Sequence, residues 1–156
     1  MPQHAESRIV PFQPEQMWDL VIDVERYPQF LPWCVDTRIH ERTDSLQLAE
    51  MAIGFGPFRE KFISRNTIRR PEYIKVRYER GPFRYLHNDW NFSADPRGCK
   101  VDFWIDFEFR SRLLQAAIGV VFAEATRRMV NAFLQRARVV YGAPASPPAR
   151  PPVLPA

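Results

Sequence analysis

The chain has 156 residues, 46% of them apolar and 13% aromatic, with 12 Phe; that supports one folded core without staples and excludes a disordered chain. Its formal net charge of +4 is spread along the sequence, so no dedicated nucleic-acid patch is predicted and DNA is not expected as a partner, although anionic surfaces are favoured. Cys34 and Cys99 lie far apart without a CxxC pair or Cys/His spacing, which predicts reduced, buried thiols and neither a disulfide nor a metal site.

The opening MPQHAESRIVPF lacks the features of a signal or transit peptide, and no run of eighteen apolar residues follows. The expectation is a soluble, cytoplasmic chain that meets a membrane only from its surface. Residues 4–10 predict a short strand stopped by Pro11. Pro14 suits the first turn of a helix whose apolar stripe is Met17, Trp18, Val21 and Ile22. A second helical turn at 24–27 leads into RYPQFLPWC (26–34), where two prolines forbid a long helix or central strand while Tyr27, Phe30, Leu31 and Trp33 supply a core-like apolar load.

From 35 to 110 the dominant period is two. In CKVDFWIDFEFR, Cys99, Val101, Phe103, Ile105, Phe107 and Phe109 share one face against charged residues on the other, and Trp104 stands on the wet face. Turn signals at 54–57 (GFGP), 81–83 (GPF) and 95–98 (DPRG) join the strands into an antiparallel meander. From 112 to 141 no proline intervenes, and Leu114, Ile118, Phe122, Ala125, Met129, Phe133 and Val140 keep helical spacing. That predicts one helix about 45 Å long, capped by Ser111 and stopped by Gly142. Its first half is apolar nearly all round, with Leu113, Ala117 and Val120 where the polar stripe would continue, so a loop, a partner or a membrane surface should cover it. The proline-rich 143–156 is expected to be a disordered tail beyond a single domain of residues 1–142.

Packed economically, these elements form an α+β fold: a curved antiparallel sheet gripping the long helix, with two short helices after the first strand. Large inward aromatics, and glycines at 54, 56 and 119, suggest space between sheet and helix. No metal set, phosphate loop or nucleophile elbow is present in the sequence, so a binding protein is expected rather than an enzyme. Glu60 shares its strand phase with Phe58, Phe62 and Ser64; it reads either as a functional carboxylate in an apolar site or as the partner of an Arg at the sheet end. Asn88 and Arg136 are further inward or near-inward polar groups.

ERYPQFLPWC (25–34), GFGPFREKFIS (54–64), GPFRYLHNDWNF (81–92), VDFWIDFEFRSRLLQ (101–115) and RRMVNAFLQRA (127–137) resemble the signatures of the coenzyme Q-binding domain family. That family lies within the START-like, helix-grip (Bet v 1-like) superfamily, some members of which are labelled polyketide cyclase or ribosome-association toxin. The resemblance runs from about residue 4 to 142, and YPxFLPWC is its most specific part. It implies a bacterial ubiquinone-binding chaperone or carrier that supports respiratory electron transport without catalytic turnover and without a cofactor, ubiquinone or a similar isoprenoid lipid being its ligand. It also implies transient contact with the inner face of the cytoplasmic membrane. The lining expected is Phe30, Leu31, Trp33, Phe55, Phe62, Trp90, Phe107, Ile118, Phe122, Met129 and Phe133, with Asn88 or Arg136 donating to the quinone ring and the FLPW turn forming one lip of the entrance. The alternatives are a toxin that binds the large ribosomal subunit and blocks subunit joining, and a cyclase-like enzyme using Glu60.

Overall fold

The computed structural model describes residues 3–142, the side chain of Phe55 excepted; the expected tail at 143–156 lies outside the described residues. The chain begins with β1 (Gln3–Val10), α1 (Pro14–Ile22) and a 3₁₀ helix (Val24–Gln29). There follow β2 (Cys34–Arg42), β3 (Leu46–Phe55), β4 (Phe58–Arg69), β5 (Tyr73–Arg80), β6 (Phe83–Asp95), β7 (Gly98–Phe109) and α2 (Arg112–Tyr141). All seven strands form one antiparallel sheet in the order β1-β7-β6-β5-β4-β3-β2. Five consecutive hairpins make the meander, and β1 closes it by pairing with β7. This is the predicted α+β helix-grip arrangement.

Local chemistry explains the element ends. Gln13 N donates to Gln16 Oε1 at 2.8 Å to open α1, and Ser111 Oγ accepts from Leu114 N at 3.1 Å to open α2. In the β5–β6 turn Gly81 has φ +143°, and a Cβ there would lie 2.6 Å from Phe62 Cβ. Only glycine lets this turn lie against an inward-facing ring.

The placement of α2 decides where space is left. On β1 the inward residues before the buried Val10 are polar: Arg8 donates from Nη1 to Asn131 Oδ1 at 2.8 Å and from Nε to Glu6 at 2.5 Å, while His4 Nε2 lies 2.9 Å from Glu6 Oε1. This seam holds α2 beside β1, and its other main neighbours are β7 and α1. Tyr141 Oη reaches Gln16 O of α1 at 2.8 Å and secures its last turn. The buried apolar residues accordingly form two clusters. The larger gathers α1, the 3₁₀ helix, the sheet's far end and the C-terminal half of α2; the smaller gathers Phe62, Phe83, Leu86, Phe107, Phe109 and Leu114.

Two expectations about α2 change. Leu114 and Phe133 of the expected stripe are buried, but Val140 is exposed, and Thr126, Val130 and Ala137 are buried in addition; the phase set by Phe133 and Ala137 continues four residues on to Tyr141, which is held to Gln16 O, rather than to Val140. Ala117 is half-buried, whereas Leu113 and Val120 stand 72% and 86% exposed. The first half of α2 thus presents apolar side chains that the described residues leave uncovered.

Candidate functional site

Between the two clusters lies a cavity of about 250 Å³, walled by α2, the 3₁₀ helix and the inner faces of β3 to β7. Leu31, Trp33, Phe62, Trp90, Phe107, Ile118, Phe122, Met129, Phe133 and Asn88 line it, so strands and helices far apart in sequence bring most of the expected residues together. Ile53, Phe58, Phe83 and Leu114 complete the wall near the β3–β4 turn and the start of α2. Trp33 O accepts from Gly54 N at 2.9 Å, which places the FLPW turn beside that same end. Val21, Val24, Gln47 and Ile74 form the inner end, under α1.

Phe30 and Arg136 sit elsewhere. The Phe30 ring packs edge-on against Tyr27 at 5.9 Å and Phe133 at 5.3 Å, behind the wall. Arg136 lies over that ring at 5.2 Å and donates from Nη2 to Gln29 Oε1 at 2.7 Å, outside the cavity lining. A long cation at the exposed end of a helix stripe reaches solvent and local acceptors more readily than an apolar interior. The Phe55 side chain lies outside the described residues. Asn88 lines the cavity with its polar atoms engaged: Nδ2 donates to Trp104 O at 2.9 Å, and Oδ1 accepts from Trp90 Nε1 at 3.1 Å. Glu60 lines the cavity too, and among the described residues it forms no ion pair with an Arg.

The glycines at 54, 56 and 119 do not create this space. A Cβ on Gly54 would meet Arg59 and Val35, on the sheet's outer side, and Cβ atoms on Gly56 or Gly119 would project into open space. The cavity arises because α2 leans towards β1 and β7, not because side chains are missing.

Four buried polar side chains line this cavity, Gln47, Ser64, Asn66 and Thr126; of these the sequence pattern had singled out only Ser64, by its strand phase. Gln47 Nε2 donates to Ile22 O at 3.0 Å, and Gln47 Oε1 accepts from Asn66 Nδ2 at 2.8 Å across the β3–β4 pair. Thr126 Oγ1 donates to Phe122 O at 2.9 Å within α2. The phase that puts Glu60 inward also puts Ser64 and Asn66 inward, so the signal was present in β4. Tyr27 donates its hydroxyl to Val21 O, and burial, with Cys34 and Asp23 adding, pushes its phenol well above the ordinary range. Burial, followed by Asp36, pushes the Cys34 thiol up to about 12. Both groups stay neutral at physiological pH and keep the wall uncharged. Among the described residues no cluster of His, Cys, Asp and Glu is placed to hold a metal, and no described helix is long and apolar enough to cross a membrane.

Comparison with known proteins places this geometry. The chain is 37% identical over 137 residues to the ribosome association toxin RatA of Pseudomonas aeruginosa, covering 87% of this chain and 95% of that one. It is 32% identical over 145 residues to the mitochondrial coenzyme Q-binding protein COQ10 homolog B of Xenopus laevis, covering 90% of this chain and 59% of the relative. Among solved structures, an 18 kDa protein of Caulobacter crescentus is similar at 34% identity and a TM-score of 0.74, over 92% of this chain and 100% of its own. The Zhui aromatase/cyclase of a Streptomyces species shares the fold at 18% identity and a TM-score of 0.73, over 88% of this chain and 93% of its own. A family model described as polyketide cyclase / dehydrase and lipid transport matches residues 10–134. A helix-gripping sheet around an apolar cavity, in a chain that this model matches over most of its length, makes the protein a member of the polyketide cyclase / dehydrase and lipid transport family.

Proposed function

We propose that this protein binds an isoprenoid lipid of the coenzyme Q class in the cavity between sheet and α2, and carries or shields it without chemical turnover. The observation that supports this reading best is the wall itself: about 250 Å³ lined mainly by aromatic and aliphatic side chains from α1, the 3₁₀ helix, α2 and β2 to β7, a setting that favours an apolar ligand by about 25 cal/mol per Å² of surface removed from water. The relative named for coenzyme Q binding supports the ligand class. Exposed Leu113 and Val120 on α2, with Val35 beside the FLPW turn, provide apolar contacts through which the cavity end can meet a membrane surface from which such a lipid is taken.

Trp33 and Trp90 line the cavity, so a quinone seated there quenches tryptophan emission. Titrating the lipid-free chain with a short-tailed coenzyme Q analogue should give saturable quenching, and Ala49→Phe, which fills the wall, should abolish it. Quenching that never saturates, or that Ala49→Phe leaves intact, counts against this reading.

A second reading is favoured by the outer face of β4. It carries Arg59, Lys61, Arg65 and Arg69 with no outward acid on that strand, and Arg65 sits opposite Arg77 of β5. Arg65 pairs with Glu79, Arg77 with Asp89 and Arg69 with Glu72, so these charges are partly offset within the sheet, and the remaining excess of cations on this face suits an anionic partner. Together with the relative named as a ribosome association toxin, this supports contact with the large ribosomal subunit. Cosedimentation that weakens steeply with salt would support it, and no cosedimentation at low salt would exclude it. A cyclase-like reading would rest on Glu60; it predicts a product whose yield falls in Glu60→Gln.

A further inference from the structure

The cavity wall holds a single carboxylate and no cation. Among the described residues that line it, Glu60 is the only Asp, Glu, Lys, Arg or His. On the inward phase of β4 it stands between Phe58 and Phe62, and it faces Ile53 across the β3–β4 pair; all three neighbours line the cavity. Glu60 is half-buried and makes no hydrogen bond or ion pair among the described residues.

The cations closest in sequence are turned elsewhere. Arg59 and Lys61 flank Glu60 in β4 but are exposed on the opposite phase, and Arg59 Nη1 donates to Gly56 O at 3.0 Å and Phe58 O at 2.8 Å. Arg136 is spent on Gln29 and the Phe30 ring. At the inner end Tyr27 and Cys34 keep their protons, since burial raises both. The interior thus offers no counter-charge to an anion, and its one carboxylate stands at the end beside the β3–β4 turn.

Resting on the lipid-binding reading, we propose that the cavity discriminates by charge, preferring amphiphiles with an uncharged head over those with an anionic head such as isoprenoid or fatty carboxylates, and that Glu60 is the residue that sets this preference. A carboxylate head drawn inside finds no cation, and one held at the β3–β4 turn meets a like charge across a wall of aromatic and aliphatic groups. An uncharged head meets no such opposition, whether it donates or accepts hydrogen bonds, so a quinone remains a suitable occupant.

The test is calorimetric titration of the lipid-free full-length chain, at pH 8 and low ionic strength, with farnesoic acid and with its methyl ester. The two share one isoprenoid skeleton and both heads accept hydrogen bonds without donating, so charge is the chief difference between them. The ester should bind about tenfold more tightly or better, a repulsion reduced by solvent at the half-buried Glu60. Glu60→Gln removes the charge without removing a contact, and the ratio of ester to acid affinity should fall at least about threefold. Equal binding of the two by the wild-type chain, or tighter binding of the acid, overturns the inference and leaves the lipid reading standing. An undiminished ratio in Glu60→Gln overturns the assignment to Glu60, and binding of neither compound overturns both the inference and the lipid reading.

Discussion

The hydrogen bond between Gln47 and Asn66 predicts that its two members have very different worth. Gln47 is 0% exposed, and Gln47→Met keeps its length while removing both of its contacts. That leaves two buried groups unpaired, Ile22 O and Asn66 Nδ2, at about 1–3 kcal/mol each, for a total of about 2–6 kcal/mol. Asn66→Leu leaves one new orphan, Gln47 Oε1, but deletes Asn66 Oδ1, which already lacks a partner. One orphan replaces another, and the net cost is about 0–1 kcal/mol. Urea unfolding followed by tryptophan fluorescence separates the two: with a slope of about 2 kcal/mol per M, Gln47→Met lowers the midpoint by about 1–3 M while Asn66→Leu moves it by less than about 0.5 M. Equal losses from both substitutions would refute the network as described.

Phe133 is buried and packs edge-on against Tyr27, Phe30 and Trp90 at 5.3, 5.3 and 5.0 Å, so Phe133→Ala should lower stability by about 3–5 kcal/mol in the same assay. Alkaline pH should destabilise the fold. Burial raises the Tyr27 phenol, the Cys34 thiol from 9.0 to about 12 and the Cys99 thiol from 9.0 to about 11. The folded state thus keeps protons that the unfolded chain releases: their stabilisation is full below about pH 9 and is lost as pH rises towards the folded values. A urea midpoint that stays constant between about pH 8 and pH 11 would contradict this. Leu113→Glu with Val120→Glu should weaken sedimentation with lipid vesicles while changing stability by no more than about 0.5 kcal/mol per site, since both side chains already face solvent.

Element types were legible because each element obeys one strong rule. Alternation in 99–110 marks β7, Pro14 marks the first turn of α1, and Ser111 and Gly142 bracket α2. Most of the wall was legible for the same reason, since an inward phase in a strand or a buried stripe on a helix names its residues without coordinates. What failed depends on how elements lean on one another. The polar seam of His4, Glu6 and Arg8 draws α2 towards β1, and no periodicity of α2 itself reports that tilt; it leaves the cavity open, buries Ala137 and exposes Val140. Arg136 fails likewise, because the proximity of Gln29 and the Phe30 ring is tertiary. Gln47 and Asn66 escaped notice because an inward amide in a strand reads as an exception until its cross-strand partner is known.

The most direct measurement is the ligand itself. The full-length chain, produced in cells that make ubiquinone, purified without detergent and extracted into organic solvent, should yield an isoprenoid quinone or its reduced form by mass spectrometry, at a ratio to protein approaching one to one. Ala49→Phe, which fills the wall beside Gln47 and Met51, should carry markedly less. A wild-type extract free of isoprenoid lipid, from protein that also takes up none from quinone-loaded vesicles, would contradict the account.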